Sequence, residues 1–211
     1  MNDAAIAAKI VDKWKRSPWA FIRDACLTVD EADAGNIKPF PDKPYLAYVC
    51  EVWRKHKMLA IPKSRRMLMT WLMLALHLHM ALFVPRSAIF IQSKKADDSD
   101  YLIGDNRMLF IYNNLPGWLH RYGLAQAKHK QYQVTFSNGS YVMGIAQGAA
   151  QLRQYTATAV LCDEMAFWEQ AAATWRALRP ILQGGGRATL LSSANPGFFR
   201  VIVDGTLRGH H

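Results

Sequence analysis

Two adjacent carboxylates, Asp163 and Glu164, close the apolar run Val160-Leu161-Cys162. Acids in that setting suit phosphoryl transfer, which needs one group to hold Mg²⁺ and another to orient the attacking water. A strand end supplies both from a rigid support, with Asp163 on the metal and Glu164 polarising the water. The same pair serves equally as two solvated acids favouring the N-terminus of a following helix. A second cluster, Lys63, Ser64, Arg65, Arg66 and Thr70, lies in the upstream run IPKSRRMLMT. Its place between strand and helix is that of a phosphate-binding P-loop, G-x-x-x-x-G-K-[ST], whose glycines let backbone amides wrap phosphate. Only Thr70 matches. Lys63 stands at the first glycine, Leu68 at the second and Met69 at the lysine, so composition alone reads as a basic surface turn. A third cluster, Ser192-Ser193-Ala194-Asn195, offers hydroxyls and an amide able to sense a terminal phosphate, or simply an ordinary polar turn before Pro196.

The elements that must position these groups alternate. Ile6, Ile10 and Trp14 recur at helical spacing through residues 2–16. Ser17-Pro18 reads as an N-cap with proline at the first helical position of a second helix. Asp30, Glu31, Asp33 and prolines 39, 41 and 44 read as a loop dividing a helical extension, residues 1–37, from a main domain, residues 38–205. Within the latter, strands are expected at 58–61, 87–92, 158–162 and 188–191. A long apolar helix is expected over 67–84, another after the polar run SKKADDSD, and an alanine-rich one stopping at Gly184-Gly185-Gly186. Alternation at 132–136, Asn138-Gly139 and a return at 141–145 predict a β-hairpin. Strands alternating with helices imply an α/β fold whose mostly parallel central sheet carries helices on both faces. Ligands bind such sheets beyond the carboxyl ends of the strands, where all three clusters fall.

Composition sets wider bounds. The 211 residues, 51% hydrophobic, suffice for one substantial core, and a net charge of +10 favours a polyanionic partner. Cys26, Cys50 and Cys162 have no metal-ligand spacing and read as buried, reduced thiols. The segment 67–84 is apolar enough for a membrane span, but His77 and His79 sit inside it and Arg65 and Arg66 precede it. A buried central helix is the better reading, and no membrane partner is expected.

In this order, the three clusters resemble the ATPase domain of tailed-phage terminase large subunits over residues 38–205. Lys63 is similar to a lysine shifted to the start of the loop in some members, Arg65 or Arg66 to the loop arginine, and Thr70 to the Mg²⁺-binding hydroxyl. Asp163-Glu164-Met165-Ala166-Phe167 resembles the family's Walker B motif, and SSANPG at 192–197 its coupling motif. The stretch GAAQLRQYT resembles the family's arginine-finger segment and implies that Arg153 reaches a neighbouring subunit's site. The family glutamine beside the adenine is not found near Tyr45, so Tyr45 or Pro41 is expected to pack on the base.

The resemblance implies a P-loop fold of the additional-strand, catalytic-glutamate type, using ATP and Mg²⁺. It implies double-stranded DNA, a portal protein, a small terminase subunit and further copies in a ring as partners. The setting would be the host cytoplasm and, transiently, the procapsid. A nuclease domain is not expected within 211 residues, and 206–211, ending in two histidines, read as a tail or tag remnant. Two rivals stand. One is a helicase-like ATPase, which needs a second motor lobe; the other is a degenerate nucleotide fold binding DNA or capsid without hydrolysis, for which Leu68 and Met69 speak.

Overall fold

The computed structural model describes residues 3–30, 35–121 and 126–205; part of the acidic loop, 31–34, and the tail, 206–211, lie outside the described residues. Helices α1 (Asp3–Arg16) and α2 (Pro18–Ala25) open the chain. Ser17 caps α2 by accepting from the Ala20 amide at 3.2 Å. A two-stranded ribbon, β1 (Leu27–Asp30) with β2 (Asn36–Pro39), leads to α3 (Pro44–Lys55). Then come β3 (Met58–Lys63), α4 (Met69–Phe83), β4 (Ala88–Ser93), α5 (Ala96–Ile103), α6 (Met108–Asn113) and α7 (Trp118–Arg121). Strands β5 (Ala127–Lys130), β6 (Gln133–Phe136) and β7 (Tyr141–Ala146) precede the short α8 (Ala150–Arg153) and β8 (Ala159–Asp163). A 3-10 turn at Met165–Phe167, α9 (Ala171–Gln183), β9 (Arg187–Ser193) and α10 (Phe198–Val203) complete the described chain.

Seven strands form one sheet in the order β3-β9-β8-β4-β7-β6-β5. The pairs from β3 to β7 are parallel, and the expected hairpin appears as the antiparallel β6–β7 pair. Strand periodicity sends alternate residues to opposite faces. Ile89, Ile91, Leu161 and Leu191 therefore join one core with α1 to α4 and α6, while Phe90, Val160, Cys162 and Leu190 join a second core with α9 and α10. The sheet is covered on both faces, as α/β architecture requires.

Helix α4 is apolar all round because it is buried all round, with Leu72 to Leu76 fully inaccessible. At 15 residues and 1.5 Å per residue it spans roughly 22 Å, short of a bilayer core. Among the described residues no helix is long and apolar enough to cross a membrane. Cys26, Cys50 and Cys162 are buried free thiols. Arg187 begins β9 buried, and among the described residues it pairs with no carboxylate. Its guanidinium donates to the Trp53 and His56 carbonyls at the end of α3, at 2.6 Å for His56, and lies 3.9 Å from the Trp53 ring centroid. It satisfies orphan carbonyls at a helix C-terminus, where a cation is also favoured.

His79 binds the Trp14 carbonyl at 2.8 Å, tying α1 to α4, and sits among Phe21 and Phe83. Burial lowers both His77 and His79 from 6.5 to about 4, against the raising effect of their backbone hydrogen bonds. Both imidazoles thus favour the neutral form in the fold. The stability this gives is present above about pH 6.5 and lost as pH falls towards 4, by on the order of 2 kcal/mol per histidine at pH 5. Denaturant unfolding at pH 7 and pH 5 should show this loss, and His79→Phe should remove a substantial part of it; an unaltered acid loss in the variant contradicts the assignment.

Candidate active site

Parallel register brings the three polar clusters together. Strand β9 lies between β3 and β8, pairing Lys63 with Ser193 on one side and Asp163 with Leu191 on the other. Lys63 and Asp163 are the last residues of their strands. Strand β3 runs two residues beyond its expected end, through Pro62, which is tolerated at the edge of a sheet.

Beyond the strand ends, Lys63 Nζ bonds Glu164 Oε1 in an ion pair whose side chains are 10% and 34% exposed. Ser193 adds its amide at 2.9 Å to Glu164 Oε2 and its hydroxyl at 3.0 Å to Oε1, and the Ser192 hydroxyl lies 3.3 Å from Oε2. Burial alone would raise the Glu164 pKa, but the Lys63 and Ser193 bonds outweigh it and hold the carboxyl below its ordinary range. Asp163 takes a single side-chain bond, from the Thr70 hydroxyl at 3.1 Å. Burial raises its pKa to about 6, with attraction from Lys63 opposing and Glu164 adding.

Two backbone positions shape this arrangement. Glu164 lies in the left-handed region, φ 55° and ψ 40°, uncommon without glycine and costing about 1 kcal/mol or more. The turn there lets the residue after β8 send its carboxylate across the end of β9. Leu68, at the position of the P-loop's second glycine, also adopts the left-handed conformation, φ 56° and ψ 14°. The loop therefore keeps a glycine-like bend without glycine. Met69 is 4% exposed, buried with the α4 core, and Leu68 packs partly against it. Neither fills the cavity of about 660 Å³ beside the loop, whose walls include Lys63 to Thr70 and Asp163. Helix α4 has no side-chain cap at its N-terminus, which faces this loop.

Further walls come from residues the sequence reading did not single out: Lys38 of β2, Trp71 of α4, Tyr101 of α5, and Arg107. Their signal is faint, since each is a lone residue in a helix, a short strand or a polar turn. Among the described wall residues five cations, Lys38, Lys63, Arg65, Arg66 and Arg107, face one carboxylate, Asp163. Such a field suits a polyanion. Pro41 lines the cavity, whereas the Tyr45 hydroxyl supports the loop by donating to the Met67 carbonyl at 3.4 Å. Asn195 donates to the Ala166 carbonyl at 3.0 Å, tying the third cluster to the turn after Glu164. Arg153 is exposed at the end of α8, outside these walls.

No family model matches the chain, and no curated protein matches it. Among solved structures, the large terminase of bacteriophage HK97 is similar at a TM-score of 0.67 and 12% identity, over 92% of this chain and 41% of that one. The large terminase ATPase domain of Thermus phage P74-26 is similar at 0.50 and 13% identity, over 67% of this chain and 61% of that one. The chain has the fold of the phage large terminase ATPase domain. A third similar structure, the large terminase of a thermophilic bacteriophage in complex with ADP, has a TM-score of 0.50 at 17% identity, over 74% of this chain and 39% of that one. This terminase-fold chain thus spans about two fifths of the length of the HK97 protein.

Asp163 is a buried carboxylate whose raised pKa means its charge opposes folding when no cation is bound. In metal-free buffer at pH 7, Asp163→Asn should raise stability by on the order of 1–3 kcal/mol. A fall in the thermal midpoint of this near-isosteric variant contradicts the assignment.

Proposed function

We propose that this chain hydrolyses ATP to drive double-stranded DNA into a viral procapsid, as the motor portion of a large terminase. The observation that carries this reading is the meeting of Lys63, Thr70, Asp163, Glu164 and Ser193 beside a cationic cavity at the ends of three adjacent strands. The terminase fold and the ADP complex of the thermophilic phage protein support a nucleotide there.

The donors fit Mg²⁺, which takes one or two carboxylates together with substrate phosphates and water. Asp163 and Thr70 would hold it, and the ion would neutralise charge on the phosphate oxygens. Lys63, Arg65 and Arg66 bind the triphosphate, with Ser64 and the uncapped start of α4 adding loop donors. As Lys63 turns towards the phosphates, Glu164 is released to orient a water and take its proton. Ser193 steadies the Glu164 carboxylate, and Asn195 links that contact to the turn at Ala166. Tyr45 braces the loop from α3. Arg153, exposed and outside its own cavity, would serve a neighbouring subunit's phosphates in a homo-oligomeric ring. A portal protein and a small terminase subunit complete the expected partners, and the net charge of +10 gives DNA binding a steep salt dependence.

Phosphate release measured with and without DNA tests the reading. Glu164→Gln should lower the rate by roughly 10²–10⁴-fold while ATP still binds. A variant rate equal to the parent's removes hydrolysis and leaves the non-hydrolysing DNA- or capsid-binding module. In equilibrium titrations Lys63→Ala should weaken ATP binding by about tenfold or more, as loss of a charge-assisted phosphate contact does; unchanged affinity would misplace the phosphate lysine.

A further inference from the structure

Three fully buried polar side chains converge on one short connection, the one between β7 and α8. The Ile145 carbonyl accepts from the Ser99 hydroxyl at 2.6 Å, and the Ala146 and Gly148 carbonyls each accept from the Gln92 amide nitrogen at 2.8 Å. The Gly148 amide donates to the Thr174 hydroxyl at 3.0 Å. Ser99 stands on α5, Gln92 on β4 and Thr174 on α9, and each is 0% exposed. Gly148 holds φ 111°, and a Cβ there would meet Gln170 Oε1 at 2.6 Å, so only glycine suits the turn. Buried polar groups are costly unless satisfied, and rigid when they are. A core that fixes a connection this closely points to what the connection carries.

We propose that Gln92 is a positioning residue: with Thr174 it fixes the β7–α8 connection so that Arg153 is held for the phosphates of a neighbouring copy. The inference rests on the trans role proposed for Arg153. Arg153 ends α8, the short helix that the connection feeds. Leu152, 2% exposed, pins that helix in the second core, while Arg153 itself is exposed. An arginine serves a neighbour's phosphates only if its backbone is already set, since a misplacement of about 1 Å can cost about 10²-fold in rate. Gln92 is built for that task. Both its carbonyl partners lie in one turn, which fixes the plane of its amide. Its Oε1 accepts from the Cys162 thiol at 3.7 Å, and Cys162 is its register partner on β8. Cys162 directly precedes Asp163. One buried amide therefore touches both the strand that ends in the chain's own acids and the segment that carries Arg153 outward. Gln147 adds a tie to α9, its Oε1 accepting from the Gln170 amide at 2.9 Å.

Phosphate release from mixtures of full-length variant chains, with ATP, Mg²⁺ and DNA, tests the role of Gln92 apart from that of Arg153. Arg153→Ala keeps its own acids and lacks the arginine; Glu164→Gln keeps the arginine and lacks hydrolysis. Each alone should be slow, and mixing them should restore the rate. No restoration removes the trans role of Arg153, and this inference with it, before Gln92 is touched. A donor chain carrying both Glu164→Gln and Gln92→Met should restore Arg153→Ala at least about tenfold less well. As the recipient, Gln92→Met mixed with Glu164→Gln should reach the rate that Arg153→Ala reaches with that donor, because its own acids are intact. Full restoration by the doubly substituted donor overturns the inference. An equal loss in both arms overturns it too, since a general loosening of the core harms giving and receiving alike. Should Gln92→Met fail to fold by circular dichroism, Thr174→Val, which removes the acceptor of the Gly148 amide, takes its place in both arms with the same expected and contrary outcomes.

Discussion

The ion pair between Lys63 and Glu164 bridges the carboxyl end of β9, joining the strand before the loop to the residue after β8. It holds together only in this strand order, with β9 between the partners and its Ser193 amide and hydroxyl completing the carboxylate's shell. A partly buried pair of charges is stable when its remaining hydrogen-bonding capacity is met, and costly when one partner is removed. Lys63, one tenth exposed, is thus committed to a carboxylate until an anion of comparable charge competes for it. The contact that organises the site is also the one a phosphate would have to open.

Local strain is tolerated because the surroundings are rigid. Leu68, in the cavity wall, and Glu164, directly after the wall residue Asp163, both hold left-handed backbone. Each conformation persists because packed structure over-determines it. At Leu68 the following residue is anchored in the core of α4, and at Glu164 the carboxylate is fastened by Lys63 and two serines. The loop thereby keeps the bend that glycine usually supplies and gives up the lysine that usually follows it. Lys38, Arg65, Arg66 and Arg107 stand in the wall of the cavity beside this loop.

Much of this was legible in the residues. The α/β alternation, the hairpin at Asn138-Gly139, the Ser17-Pro18 cap and the strand ending at Asp163 follow from local rules that the tertiary structure reinforces. Elements lost to the reading have identifiable causes. Prolines 39, 41 and 44 suggested loop, yet Pro44 starts α3, where it needs no amide partner. Leu46, Cys50 and Trp53, the buried residues of α3, carry a helical period that the prolines obscured. Strands β1 and β2 are four residues each, too short for periodicity to register. Lys63 proved to be a strand residue because Pro62 lies on an edge strand, where its missing amide is harmless. For the site, the sequence marked both acids, the loop and the serines. The bond between Lys63 and Glu164 depends on a left-handed residue that no pattern signals, and Arg107 enters only through the packing of α5 and α6 beside α4.

The most direct test is a crystal structure with Mg²⁺ and a non-hydrolysable ATP analogue. The expected result is a triphosphate between the 63–70 loop and Asp163, with Lys63 Nζ moved from Glu164 onto phosphate oxygen and the Glu164 carboxylate facing an ordered water. An analogue bound elsewhere, with the Lys63–Glu164 pair intact, would contradict this mechanism.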